Sequence, residues 1–242
     1  MTRKVLLFNN MISSGGDDSP SAILINDQLY CHLDAKDIKL KEWNDRKGNY
    51  NFTTDSLTSS SHNRFNLKGH TATSKNFTFG SFPFTLEFTV NITETTSWGN
   101  LFSNTNSSLF QINHRNNGYY GIKSNHMSPP TIARALATSK VNDGTLHIID
   151  FVIASKELIV YLDGVKQSDI TNTFKDTMLG LVGYQLGSTP GPIITGYVYS
   201  FRFYKKSLSE FEIRCNCLYE ANQGRTSTST TEQSETFKAK WK

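Results

Sequence analysis

The stretch Phe82-Pro83-Phe84-Thr85-Leu86-Glu87-Phe88-Thr89-Val90-Asn91-Ile92 alternates without a slip. Phe82, Phe84, Leu86, Phe88, Val90 and Ile92 are apolar, and the residues between them are polar or proline. Successive side chains of a strand point to opposite faces, so this spacing predicts one face on a core and one in water. The polar face is expected on the outside of the molecule.

Similar patterns continue on both sides. "WGNLFSN", "SSLFQINH" and "GYYGIKS" (98–124) read as a meander, with Asn116-Asn117-Gly118 at one of its turns. The run 144–170, "GTLHIIDFVIASKELIVYLDGVKQSDI", holds two strands that are apolar on both faces, which predicts a place in the middle of a layered structure. Asp163-Gly164 is a strong hairpin signal, since glycine tolerates a positive φ. In Thr195–Tyr204 the alternation puts Tyr197, Tyr199, Phe201 and Phe203 on one side and Val198, Ser200, Arg202 and Tyr204 on the other. Ser207-Leu208-Ser209-Glu210 reads as a capping box, with Ser207 as N-cap of a helix running to about Ala221. "IARALATS" (132–139) suggests one helical turn, and "SPP" (128–130) a surface loop.

Many short strands, regular turn signals and one late helix predict an all-β, two-sheet antiparallel β-sandwich. The chain divides into an N-terminal arm or first hairpin (1–28), the sandwich (29–221) and a polar tail (222–242).

The 242 residues carry a net charge of +4, with the basic residues scattered, which argues against a nucleic-acid binder. No segment approaches the ~20 apolar residues of a membrane span. Val5–Phe8 is too short for a signal-peptide core, so folding in a reducing cytoplasm is expected. Cys31, Cys215 and Cys217 leave an odd thiol and lack metal-ligand partners, so they are expected to be buried and inert.

Glycoside hydrolysis needs two carboxylates about 5–9.5 Å apart. Glu87 has no acid at 85, 89 or 91, and Asp150 and Glu157 are separated by a turn. No Gly-x-Ser-x-Gly elbow, phosphate-binding glycine loop or metal-spaced histidines occur, so no catalytic or metal residues and no cofactor are expected. Calcium would require Asp45 and Asp143 with further oxygens, and Asp143-Gly144 and Asp163-Gly164 are explained more simply as turns. For ligand binding, Trp98, His114, Arg115, Asn116, Tyr119 and Tyr120 fall in adjacent turns of the meander, where they would meet at one rim. The alternative is that Trp98 and one tyrosine plug the sandwich edge.

The chain resembles concanavalin A-like jelly rolls of the laminin G-like kind. The resemblance is carried by "LDA" (33–35), "WNDRKGN" (43–49), "RFNLKG", "FTLEFTVNI", "HIIDFVIASKELIVYLDGVKQ" and "ITGYVYSFRFYKKSLSEFEIRCNCLYE". It implies glycan or protein binding, or a structural module of surface or bacteriophage virion proteins. The expected role is a non-catalytic structural and adhesive virion component whose termini anchor to other virion proteins. A homo-oligomer is expected, a trimer by analogy with fibre-like proteins. The alternative is a free-standing, extracellular carbohydrate-binding module.

Overall fold

The computed structural model describes residues 20–55, 60–61, 63–95, 98–106, 109–115, 117–132, 141–187, 194–223 and 225. The chain begins with β1 (Leu29–Lys39), β2 (Glu42–Asp45), β3 (Phe52–Thr54), β4 (Ser60–Ser61), β5 (Arg64–Asn66) and β6 (Ala72–Ser74). The long β7 (Phe84–Thr95) leads into β8 (Trp98–Asn104), β9 (Gln111–Arg115), β10 (Tyr120–Lys123), β11 (Met127–Ser128) and β12 (Thr131–Ile132). There follow β13 (Leu146–Ala154), β14 (Glu157–Leu162), β15 (Val165–Thr171), β16 (Thr173–Phe174), β17 (Tyr184–Leu186) and β18 (Ile194–Tyr204). Helix α1 (Glu210–Ala221) comes last.

The strands form two antiparallel layers. The first sheet is ordered β1-β18-β7-β13-β14-β15, and the second β2-β3-β6-β17-β8-β9-β10-β12. A register shift between Leu33 and Ile38 lets β1 pass from one layer toward the other while keeping its hydrogen bonds to β2. The expected two-sheet sandwich is therefore the fold.

Phe84, Leu86, Phe88, Val90 and Ile92 all lie in the core between the sheets. There they meet Phe77, Phe102, Phe201 and Phe203, and the ring of Phe102 stacks on Tyr184 at 5.2 Å. Rings fill this space at low entropic cost, each adding about 1.5–3 kcal/mol of burial.

The opposite face of β7 departs from expectation. Thr85, Glu87, Thr89 and Asn91 are all buried, not solvated. A third layer covers them: α1 and residues 20–28 pack on the outer face of the first sheet. Leu29, Ile148, Val152, Tyr161, Tyr204 and Leu208 build a second apolar cluster there with Ile213 and Cys217 of the helix, joined by Leu24 and Ile25. This explains why β13 and β14 are apolar on both faces. It also places the segment 20–28, with Ile25 N donating to Asn216 Oδ1 at 2.9 Å.

Two local readings are corrected. The helix is capped by Ser209, not Ser207, in a reciprocal box with Glu212. Leu208 is buried in the outer cluster and its N–H donates to Thr85 Oγ1, so the chain stays extended through it and the next overlapping Ser-x-x-Glu box takes over. In β18 a bulge between Val198 and Ser200 inserts Tyr199, so Val198 joins Phe201 and Phe203 in the inner core while Tyr197 and Tyr199 do not.

The Asp163-Gly164 turn behaves as read. Asp163 and Gly164 both have positive φ, 51° and 77°, as a two-residue hairpin requires. The three cysteines are free and buried. Residues 133–140, most of the suggested helical turn, lie outside the described residues. Arg225, assigned to the polar tail, is buried against the first sheet.

Candidate functional site

Two places concentrate chemistry. The first is at one end of the second sheet, where β8, β9 and β10 form the expected meander. Trp98 pairs with Arg115 across β8 and β9. Arg115 N donates to Tyr119 O at 2.9 Å across the β9–β10 hairpin. Directly opposed residues in a sheet project from the same face, so Trp98 and Arg115 share the outer surface, while the ring of Tyr119 packs against the edge of the core. Trp98 is 42% exposed, while Arg115 and Tyr119 are half-buried. The next residues inward along the strands point the other way. His114 pairs with Gly99 and with Tyr120, and both rings are fully buried.

Of the six expected ligand-binding residues, Trp98 and Arg115 are therefore brought together on the outer face, and Tyr119 lies half-buried at the core's edge. His114 and Tyr120 are not. They stack edge to face at 4.9 Å, and Tyr120 also meets Phe151. Thr95 Oγ1 and His114 Nδ1 lie 2.6 Å apart. Burial holds the His114 imidazole down at about 4, so it is neutral in the core. Asn116 lies outside the described residues. The plugging role considered for Trp98 and one tyrosine falls to Tyr120, leaving Trp98 outside.

Behind this pair, Asn100 pairs with Asn113, and Asn113 Nδ2 donates to both Asn100 Oδ1 (2.5 Å) and Gln111 Oε1 (3.0 Å). Gln111 also stands opposite Lys123, which is exposed. Ser103 Oγ and Arg115 Nε are buried atoms without a hydrogen-bond partner. At this corner Trp98 and Lys123 are exposed and Asn100 and Arg115 half-buried, while Ser103, Gln111 and Asn113 are buried.

The second place is beneath α1. Glu87 of β7 stands opposite Asp150 of β13 and opposite Arg202 of β18. Arg202 donates to Glu87 and to Glu220 of the helix, and Asn216 Nδ2 donates to Glu87 Oε2 at 2.6 Å. Glu220 pairs with Arg225 Nε at 2.6 Å, and Arg225 reaches Asp34 at 2.8 Å. Arg46 also bonds Asp34, at 3.1 Å. Three carboxylates, Glu87, Glu220 and Asp34, are thereby matched by three guanidiniums.

Asp150 is the acid left over, with neither oxygen bonded to a donor. Burial, then the charge of Glu87, pushes its pKa well up, and burial also raises that of Glu87. Scanning along single strands missed this pair because the two acids face each other across strands. Glu87 is 1% exposed and Asp150 0%, so the pair is sealed under the helix and not displayed in a cleft.

The carboxylates considered for calcium are occupied by donors. Asp45 accepts four backbone N–H bonds, from His32, Lys47, Asn49 and Tyr50. Asp143 accepts from Thr145 N at 2.8 Å and lies 3.2 Å from His147 Nε2, whose Nδ1 is 2.9 Å from Asp163. Among the described residues, no cluster of three His, Cys, Asp or Glu is placed to hold a metal. Nor is any described helix long and apolar enough to cross a membrane.

Two antiparallel sheets around an aromatic core, joined by jelly-roll crossings and closed by one helix, define a lectin-type β-sandwich module. Residues 66–214 match the laminin G family described as the concanavalin A-like lectin/glucanases superfamily, and the chain belongs to it. A search of curated protein sequences finds no match. Among solved structures, Trypanosoma rangeli sialidase in complex with 2,3-difluorosialic acid is similar at 17% identity and a TM-score of 0.63, over 86% of this chain and 35% of that one. The binding domain of botulinum neurotoxin DC, in complex with rat synaptotagmin II, is similar at 14% identity and a TM-score of 0.62, over 82% of this chain and 53% of that one. The binding domain of Paraclostridial Mosquitocidal Protein 1 gives 13% identity and a TM-score of 0.60, over 81% and 53%. The chain thus spans between about a third and about half of these proteins, and the likeness is one of fold.

Proposed function

We propose that this chain is a non-catalytic recognition module that binds carbohydrate outside the cell through the outer end of its second sheet. The observation that carries the reading is the exposed Trp98 standing opposite Arg115. An indole left 42% exposed opposite a half-buried guanidinium offers a stacking surface with a cation beside it.

The non-catalytic part of the reading is supported by the acid pair Glu87–Asp150. It has the separation of neighbouring strands but is covered by α1 and neutralised by Arg202 and a proton. The sialidase and toxin binding domains named above favour recognition over the virion role, and nothing in the fold supports a particle in particular.

The test is a screen of immobilised oligosaccharides with the whole chain, followed by titration calorimetry of Trp98→Ala. Loss of a stacking ring is expected to weaken binding about tenfold or more. An absence of binding to any sugar, or full affinity in Trp98→Ala, would overturn the reading.

A further inference from the structure

Four Asn-x-Ser/Thr triplets, none with proline at x, begin at Asn51, Asn76, Asn91 and Asn106. Three of these asparagines are exposed on loops: Asn51 just before β3, Asn76 just after β6 and Asn106 just after β8. Thr53 pairs with Thr73, and Tyr184 pairs with both Ser74 and Asn104. The three loops therefore leave the second sheet at the same end. Trp98 stands at the opposite end of β8 from Asn104, about 20 Å away at ~3.3 Å per residue.

The fourth asparagine is placed differently. Asn91 is 2% exposed, and its Nδ2 donates to Gly144 O at 2.6 Å. A sugar on that nitrogen would have to enter close-packed interior. Asn51 is held the other way round, its Oδ1 accepting from Asp45 N at 3.0 Å. An N-linked sugar replaces one hydrogen of Nδ2 and leaves the amide oxygen in place, so this bond survives the modification. Asn76 and Asn106 flank one loop. Gly183 N donates to Phe77 O and Thr105 N donates to Gly183 O, each at 3.0 Å, which sets Val182 between the two triplets. Val182 is 62% exposed, an apolar side chain that hydrated glycans on either side would overhang.

Resting on the extracellular reading above, we infer that Asn51, Asn76 and Asn106 are N-glycan acceptors, which makes the end of the sandwich remote from Trp98 its glycan-bearing pole. The co-substrate is an oligosaccharide joined through diphosphate to a lipid and met during secretion. Asn Nδ2 bonds to C1 of the first sugar as the C1–O bond to the diphosphate breaks. The lipid diphosphate leaves, one amide proton is lost to a base, and nothing is oxidised or reduced. The hydroxyl residue two positions on marks each acceptor. Bulky hydrophilic chains at that pole leave the Trp98 end open to a ligand.

The test secretes the full chain from cultured animal cells behind a cleavable leader and maps its peptides before and after N-glycosidase, which converts each occupied Asn to Asp. Glycan is expected at Asn51, Asn76 and Asn106 and not at Asn91. Asn76→Gln and Thr53→Ala should each remove one glycan and leave the other two. Stripping the glycans from the folded protein should leave its affinity for sugar unchanged.

A chain carrying no glycan at these three sites, whether secreted or retained in the cell, would overturn the inference while leaving sugar recognition standing. Glycan at Asn91 in the folded protein would overturn it too, since burial would then not govern acceptance. A gain in sugar affinity on stripping would overturn the separation of the two poles. A glycosylated chain that binds no sugar would overturn the recognition reading and not the acceptor sites.

Discussion

Glu87 and Asp150 stand directly opposite each other on β7 and β13, both buried beneath α1, and only Glu87 has a cation bonded to it. Two carboxylates in that position cannot both be charged at neutral pH, and the unpaired one carries the proton. An acid whose folded-state pKa is raised holds its proton more tightly when folded. Its stabilising effect is complete at low pH and fades as pH rises from about 4 through the raised value. Asp150→Asn mimics the protonated acid. It is expected to be at least as stable as the parent near neutral pH, with the advantage shrinking toward pH 4. Melting temperatures of both proteins across that range give the measurement, and a strongly destabilised Asp150→Asn would refute the assignment of the proton.

Arg202 joins sheet to helix. Replacing it with Met leaves Glu87 and Glu220 buried without their shared partner, a change that costs about 3–5 kcal/mol. Arg225→Ala should cost less, about 3 kcal/mol or under, since Asp34 keeps Arg46. Urea denaturation of both variants provides the comparison.

His147 is clamped between Asp143 and Asp163. Burial acts to lower its pKa, but the bonds and charges of Asp143 and Asp163 prevail and raise it to about 9. The clamp is fully stabilising below the unfolded value of about 6.5 and is lost as pH rises through about 9. The shift corresponds to roughly 3 kcal/mol. His147→Gln should therefore be destabilised at pH 6 and converge on the parent above pH 9, as followed by chemical denaturation.

Trp98 and Tyr120 sit near each other in sequence terms but on opposite faces of one sheet. Trp98→Ala should change stability by no more than about 0.5 kcal/mol while weakening sugar binding. Tyr120→Ala should cost about 3–5 kcal/mol through the cavity left beside His114 and Phe151. Thermal melts paired with calorimetric titration separate the two effects.

The inner face of β7 was legible because alternation alone places Phe84 through Ile92 on one side of a strand. The role of Glu87 was not. Its partners Asp150, Arg202 and Asn216 are 63, 115 and 129 residues away in the chain, and no spacing rule along one strand reaches them. The same limit applied to the six rim residues. Adjacent turns placed them in one region, but strand parity, fixed by the Trp98–Arg115 and His114–Tyr120 pairings, sent two of them inward.

The sequence by itself determined the layered antiparallel sandwich, the hairpin at Asp163-Gly164, the late capped helix and the apolar pattern of β13 and β14. Each of these is written in local periodicity and turn chemistry. Only the tertiary structure decided that the polar side of β7 is an interior. That outcome depends on α1 folding back over the first sheet, so that charges far apart in the chain neutralise one another away from water.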